Sequence, residues 1–237
     1  MNDFRERLGR WLAGERKKLE GKTLPQKAGY IIGYYWLWMT GAAVAVSLLV
    51  FAVYRANFTV KDYWIYGIMA NASLTGSGPN EIQRDFTLYG GYNLREKNVL
   101  FNTASWFDPT KPGGTNNSYY QAYVAVTEAG DLDFLTMEED GLAAVGSSGR
   151  LLDLNSEKCG RIRELYADRF VYCVPYDTEY SEDPVPVGID ISDSRLVTDY
   201  HLYEDSCVLG IAAYTGNLEA VEQFLEFVLT PAAGDAV

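Results

Sequence analysis

The stretch AGYIIGYYWLWMTGAAVAVSLLVFAVY, residues 28–54, runs for 27 residues without a charged side chain, between Lys27 and Arg55. As a helix rising about 1.5 Å per residue it reaches roughly 40 Å, enough to cross a hydrocarbon core of about 30 Å with its ends among the headgroups. Its chemistry is graded. Tyr30, Tyr34, Tyr35, Trp36 and Trp38 crowd the start, residues 42–53 are mostly aliphatic, and Tyr54 closes the run. Amphipathic rings favour membrane interfaces, so the pattern predicts a transmembrane helix rather than the core helix of a soluble domain.

The flanks set the expected orientation. Residues 1–27 hold eight Lys/Arg against four Asp/Glu, a formal +4, and residues 55–237 hold twelve against twenty-eight, a formal −16. Basic flanks stay cytoplasmic, so the carboxy-terminal 183 residues are expected outside the cell. The apolar run exceeds a signal-peptide core and lacks a small-x-small site at its far end, so the expectation is a signal anchor. Three segments follow: a cytoplasmic basic tail 1–27, a transmembrane helix 28–54, and an extracellular α/β domain 55–237. In the tail, Phe4, Leu8 and Trp11 recur at helical spacing among arginines and lysines. That pattern fits a helix lying on anionic lipid, or a basic tail that serves topology alone. Pro25 makes a break before the span. Gly41 and Ala45, four apart, permit close approach of a second helix.

The outer segment is long enough for one domain with a substantial core. The net charge of −12 argues against nucleic acid as a partner, because phosphate binding needs clustered Lys/Arg. Cys159, Cys173 and Cys207 are odd in number and widely spaced, which describes neither a disulfide scaffold nor a zinc site. Cys173 and Cys207 are expected in strands as small buried hydrophobes; pairing of any two stays open.

Hydrophobic periodicity predicts alternating strands and helices. Phe58 to Met69 reads as a first strand, with Gly76, Gly78 and Pro79 as punctuation before a helix whose Ile82, Phe86 and Tyr89 face the core. Val99 to Phe107 reads as a second strand, followed by a Pro/Gly/Asn loop. Tyr119, Ala122, Tyr123 and Val126 share a helical face that ends at Gly130, and Leu132 to Leu135 forms the next strand. Thr136 with Glu139 has capping-box spacing for a helix to about Gly146. A helix over 156–167 with Ile162 and Leu165 inward, a strand over 170–174, an acidic loop over 177–186 and a strand over 187–191 follow. A strand over 207–214 then leads to a helix capped by Asn217, with Leu218, Val221, Leu225 and Val228 on one face, and residues 232–237 are expected to fray. This is the rhythm of an α/β domain.

Reactive groups are sparse. His201 is the only histidine, so a histidine zinc cluster is excluded, and it reads as a loop residue rather than a base. GLAAVG at 141–146 lacks the spacing of a phosphate loop, and no cofactor motif is present. Asp131 and Asp133 would share a strand face, and Asp190 and Asp193 form a second cluster. Either could offer oxygen ligands to calcium, or cap local turns. Sequons at Asn57, Asn71 and Asn116 matter only in a host that glycosylates exported proteins.

Several local motifs carry a resemblance: the strand Trp64 to Ala70, the helix from Tyr119 running into Ala129-Gly130-Asp131-Leu132-Asp133-Phe134-Leu135, and the run Leu151-Leu152-Asp153-Leu154. Val187-Gly188-Ile189-Asp190-Ile191-Ser192-Asp193-Ser194, the strand from Cys207 and the closing helix Asn217 to Leu229 extend it. In that order the chain resembles small single-span membrane proteins of Gram-positive gut bacteria whose extracellular domain is similar to an abbreviated type II periplasmic solute-binding protein. The resemblance implies two α/β lobes able to hold a small solute or a peptide.

Residues near predicted strand ends are the candidate ligand contacts: Trp106, Tyr119, Tyr120, Asp131, Asp133, Tyr176, Asp190 and Tyr214. No catalytic or metal-ligating residue is assigned. Three functions follow. The first is a membrane-anchored, non-enzymatic accessory or scaffold module, with membrane lipid around residues 28–54 and an envelope or transporter protein as partner. The second is an extracellular binding protein that presents a small solute or peptide to a membrane partner. The third is an exported hydrolase, which needs an Asp/Glu pair converging in a pocket.

Overall fold

The computed structural model describes residues 2–58, 62–73, 79–176 and 182–231. Val60 within the expected first strand, Gly76, Gly78, residues 177–181 of the expected acidic loop and the terminal residues 232–237 lie outside the described residues. The chain divides into two units, Met1–Thr59 and Val60–Val237.

The first unit is a pair of helices. Helix α1 spans Asn2–Leu19 and helix α2 spans Leu24–Phe58, so the basic tail is helical rather than unstructured. Pro25 sits in the first turn of α2, where its missing N–H costs nothing, and the break falls before it, at residues 20–23. Phe58, expected in the first strand, ends α2 instead, since no glycine or proline interrupts the helix beyond the uncharged run. Trp11 meets the edge of Tyr35 at 6.2 Å and Tyr30 donates a 3.4 Å hydrogen bond to Glu15, which holds the end of α1 against the aromatic start of α2. Within Leu24–Arg55 the most apolar 18-residue window has a mean hydropathy of 2.0, and none of it is buried. A core helix would be covered by its own protein; this one exposes Leu48, Leu49, Val50 and Phe51 by 59–66%.

The second unit is built on a six-stranded sheet: β1 (Tyr63–Met69), β2 (Asn98–Asn102), β3 (Phe134–Met137), β4 (Phe170–Cys173), β5 (Val185–Asp190) and β6 (Val208–Ile211), in the order β2-β1-β3-β6-β5-β4. β1 runs parallel to β2 and β3, whereas β6 is antiparallel to β3 and β5, and β4 is antiparallel to β5. Side chains alternate between faces. Ile65, Met69, Phe134, Leu209 and Ile211 point to one core; Ile68, Leu135, Met137, Val187 and Val208 point to the other.

Helices cover both faces. α3 (Pro79–Gly90) contributes Ile82 and Phe86 to the first core, together with α8 (Leu218–Leu229), whose Phe224 stacks on Phe134 at 4.5 Å between centroids. A Cβ at Gly67 would collide with that Phe134 ring, which explains glycine in the middle of β1. α6 (Gly160–Tyr166) and the short α7 (Arg195–Thr198) pack on the same face. The opposite face carries α4 (Ser118–Glu128) and α5 (Glu139–Gly146). Because β1 connects to β2 through α3 and β2 to β3 through α4, the two crossovers leave in opposite directions, and the sheet is doubly wound about β1.

Several local expectations shift once packing is known. Thr136 does not cap α5; it lies inside β3, fully buried, and Glu138 takes the cap position without a side-chain hydrogen bond. Asn217 occupies the cap of α8, but its amide is directed to Asp133 instead of the helix backbone. The second and last strands are shorter than their apolar runs, because pairing stops at Asn102 and Ile211. Ile162 is buried, whereas Leu165 is 55% exposed, one position off the inward face. In α4 the buried residues are Tyr123 and Thr127, and Ala122 faces solvent. Gly130, at φ +75°, ends α4 as expected, with Asp131 N–H returning to Val126 C=O at 3.1 Å. All three cysteines are buried and unpaired; Cys173 lies in β4 and Cys207 one residue before β6.

Candidate functional site

In a doubly wound sheet, ligands bind beyond the carboxyl ends of the strands where the crossovers diverge, here between β1 and β3. That position is occupied by the chain itself. Tyr203 is 6% exposed, and its hydroxyl lies 3.0 Å from the carbonyl oxygens of both Ala70, just past the end of β1, and Thr136, the last residue but one of β3. The Thr136 hydroxyl stands 2.9 Å from the tyrosine oxygen, which donates toward the two carbonyls. Burial pushes the Tyr203 phenol well above its usual range, so it stays a neutral donor. Leu202, beside it, accepts a 2.7 Å hydrogen bond from Ser73 N–H and ties the loop to the segment after β1. Asn71, at φ +58°, clasps the Phe107 backbone in both directions, at 2.9 and 3.1 Å, joining the segments that follow β1 and β2. The carboxyl-end crevice is therefore closed by side chains and backbone pairing.

Replacing Tyr203 by phenylalanine is expected to cost about 1–2 kcal/mol, because the Ala70 carbonyl loses its donor in a dry site. Chemical denaturation should show that loss, against a change within about 0.5 kcal/mol for Tyr172→Phe on the exposed side of β4.

The eight candidate contacts do not form one site. Trp106, Tyr119 and Tyr120 gather at the junction of β2 and α4; Tyr120 packs edge-on against Phe107 at 5.4 Å, while Trp106 and Tyr119 are about half exposed. Asp190, at the carboxyl end of β5, accepts from the Ser192 N–H and hydroxyl, a local turn. Asp193 is bound by both arms of Arg169 at 2.6 and 2.9 Å, which pulls its carboxyl below the usual range. Asp131, Asp133, Tyr176 and Tyr214 lie toward the opposite, amino end of the parallel strands. Asp131 is exposed there, whereas Asp133 is fully buried.

Asp133 acts as a structural pin. It accepts 2.8 Å from Tyr66 N–H, 2.6 Å from the Thr215 hydroxyl and 3.2 Å from the Asn217 amide, joining β1, the start of β3 and the approach to α8. Burial raises its pKa, and these three donors pull in the other direction. The carboxylates that could serve hydrolysis thus face different environments: Asp133 is sealed among donors, Asp190 is engaged in its turn, and Asp193 is paired. Among the described residues, no three carboxylate, cysteine or histidine side chains converge as a metal site. His201 is exposed at φ +50°, with Nδ1 3.0 Å from the Val197 carbonyl.

Tyr176 and Tyr214 both line a cleft of about 610 Å³ at the amino end of the sheet. The turn after α5 supplies Ser147 and Arg150, and Leu151, Val185 and Val187 form apolar wall. The two tyrosines stand near strand ends and are legible in the sequence as candidates, whereas Arg150 belongs to no motif there. The useful signal was a lone arginine between Gly149 and the apolar pair Leu151–Leu152.

These observations define a mixed α/β domain preceded by one helix long and apolar enough to cross a membrane. Comparisons with models of protein families, with curated proteins and with solved structures return no match.

Proposed function

We propose that this chain is a membrane-anchored, non-enzymatic accessory module whose α/β domain stands outside the cell and works through contact with an envelope protein. The observation that carries this reading is Tyr203, which fills the crevice where a doubly wound domain would receive its ligand. The uncovered apolar surface of α2 supports the anchor, and the charge difference across it supports an outward domain. The edge-on contact of Trp11 with Tyr35 supports α1 as an interfacial helix at the cytoplasmic headgroups. From Leu37 to Tyr54 the remaining helix spans roughly 27 Å, close to a hydrocarbon core. The likeness to abbreviated type II solute-binding proteins rests on the local motifs named above and is part of the same proposal.

Two measurements test it. With an epitope on the carboxyl terminus, protease added to intact cells should remove the epitope; protection until the cells are lysed would place the domain on the wrong side. A thermal-shift screen of neutral sugars and polyols should give no saturable stabilisation. A shift that Trp106→Ala or Tyr119→Ala abolishes would restore the carboxyl end as a ligand site and overturn the accessory reading.

A further inference from the structure

We infer that the cleft rimmed by Tyr176 and Tyr214 is a binding site for an amphipathic carboxylate, with Arg150 receiving the anion and the apolar wall receiving the body of the ligand. The site lies at the amino end of the sheet, away from the crevice that Tyr203 closes, and does not depend on the accessory reading.

Its volume, about 610 Å³, falls within the few hundred to about a thousand Å³ typical of small-ligand pockets. The wall is apolar where Leu151, Val185 and Val187 line it, and the rim holds two aromatic rings with unusual exposure, 74% for Tyr176 and 60% for Tyr214. Neither ring is committed to the domain's cores. They can therefore close on a flat or branched apolar group without breaking existing packing.

The charge comes from Arg150. Its Nη2 reaches Glu128 at 2.9 Å, its Nε is buried with no hydrogen-bond partner among the described residues, and Arg150 is one of the residues lining the cleft. A guanidinium presents five donors in a planar fork, and the pair with Glu128, itself half exposed, is the one side-chain hydrogen bond of Arg150 among the described residues. A ligand carboxylate meeting this fork gains charge-assisted hydrogen bonds beside a low-dielectric wall, where they are strongest. Asp153, at the cleft margin, accepts from the Asn155 N–H at 2.8 Å. The site sits on a domain of strong net negative charge, so anion recognition depends on this one arginine rather than on a general field. The ligand can be a free organic acid or the carboxyl terminus of a peptide, since both offer the same group beside an apolar body.

The test uses the full chain in lipid nanodiscs and isothermal titration calorimetry at neutral pH. 3-Phenylpropionate is expected to bind with 1:1 saturation, and its amide, which matches its shape and partitions into lipid at least as readily, at least about tenfold more weakly. Arg150→Gln should reproduce that loss with the acid, and Tyr214→Ala should weaken binding severalfold, while Tyr119→Ala at the other end of the sheet changes nothing. The amide comparison needs no substitution and stands even where a variant fails to fold. Acetyl-Ala-Ala-Phe with a free carboxyl identifies the source: tighter binding than 3-phenylpropionate assigns a peptide terminus, and equal or weaker binding assigns a free acid. Equal affinity for acid and amide, an unchanged Kd in Arg150→Gln, or the absence of saturable binding would overturn the site. Loss of binding in Tyr119→Ala would move it to the carboxyl end.

Discussion

Replacing Val46 and Leu49 together by arginine is expected to abolish flotation of the chain with membrane vesicles. Both side chains are more than half exposed along α2, and each arginine placed near the centre of a spanning helix costs about 2.5–3.5 kcal/mol of insertion. The pair therefore opposes insertion by roughly 5–7 kcal/mol, more than a thousandfold in partition. The conservative exchange Val46→Leu with Leu49→Val keeps the apolar surface and should float like the original chain. If the double-arginine chain still floated after alkaline washing, α2 would not be held by the hydrocarbon layer, and the surface that covers it would have to be protein.

The second large effect concerns Asp133. Its replacement by alanine strands the Tyr66 N–H, the Thr215 hydroxyl and the Asn217 amide in or beside a dry interior. At about 1–3 kcal/mol for each donor left unsatisfied, and with relaxation recovering part, the domain should lose about 3–5 kcal/mol. Asp131→Ala, exposed two residues earlier, should change stability by no more than about 0.5 kcal/mol. Urea unfolding followed by tryptophan fluorescence separates the two, and equal losses would show that Asp133 does not brace the fold.

The pH dependence of the same site has a definite sign. Burial raises the folded-state pKa of Asp133 above its unfolded value of about 3.9, so the folded chain holds this proton to higher pH. The resulting stabilisation is complete below the unfolded value and is lost as pH rises through the folded value. Asparagine at this position does not titrate. The stability of the original chain relative to Asp133→Asn should therefore fall as pH is raised from about 4, and a rise would show that the three donors outweigh burial.

The three kinds of signal in the sequence differed in reach. Apolar periodicity identified nearly every helix and strand, because burial alternates with the geometry of each element: Ile82 and Phe86 face the core as spaced, and Val221, Leu225 and Val228 share the buried face of α8. It failed at element ends. Leu165 and Ala122 fall beside the inward face rather than on it, since the exact rotation of a short helix is fixed by what it packs against. Polar signals were more ambiguous. Thr136, Asn217 and Asp133 fit local capping patterns, yet each is recruited across the fold, Thr136 by Tyr203, and Asn217 and Asp133 by one another.

The candidate site was legible only in fragments. Tyr176 and Tyr214 were selected for standing near strand ends, and they converge because β4 and β6 both finish at the same end of the sheet. Trp106 and Asp190 satisfied the same criterion but stand at the other end, since strand direction cannot be read from composition. Arg150 escaped notice because an arginine after a glycine turn carries no motif.

What the sequence by itself determined is the uninterrupted apolar helix, its charged flanks and the α/β alternation, since these depend on local hydrophobicity and on charge counted along the chain. Only the tertiary structure decided that Tyr203 closes the switch between β1 and β3 while Arg150 opens onto a cleft at the far end. Those two outcomes rest on strand order and direction, which bring residues from distant parts of the chain to one point in space, and no property of neighbouring residues encodes that meeting.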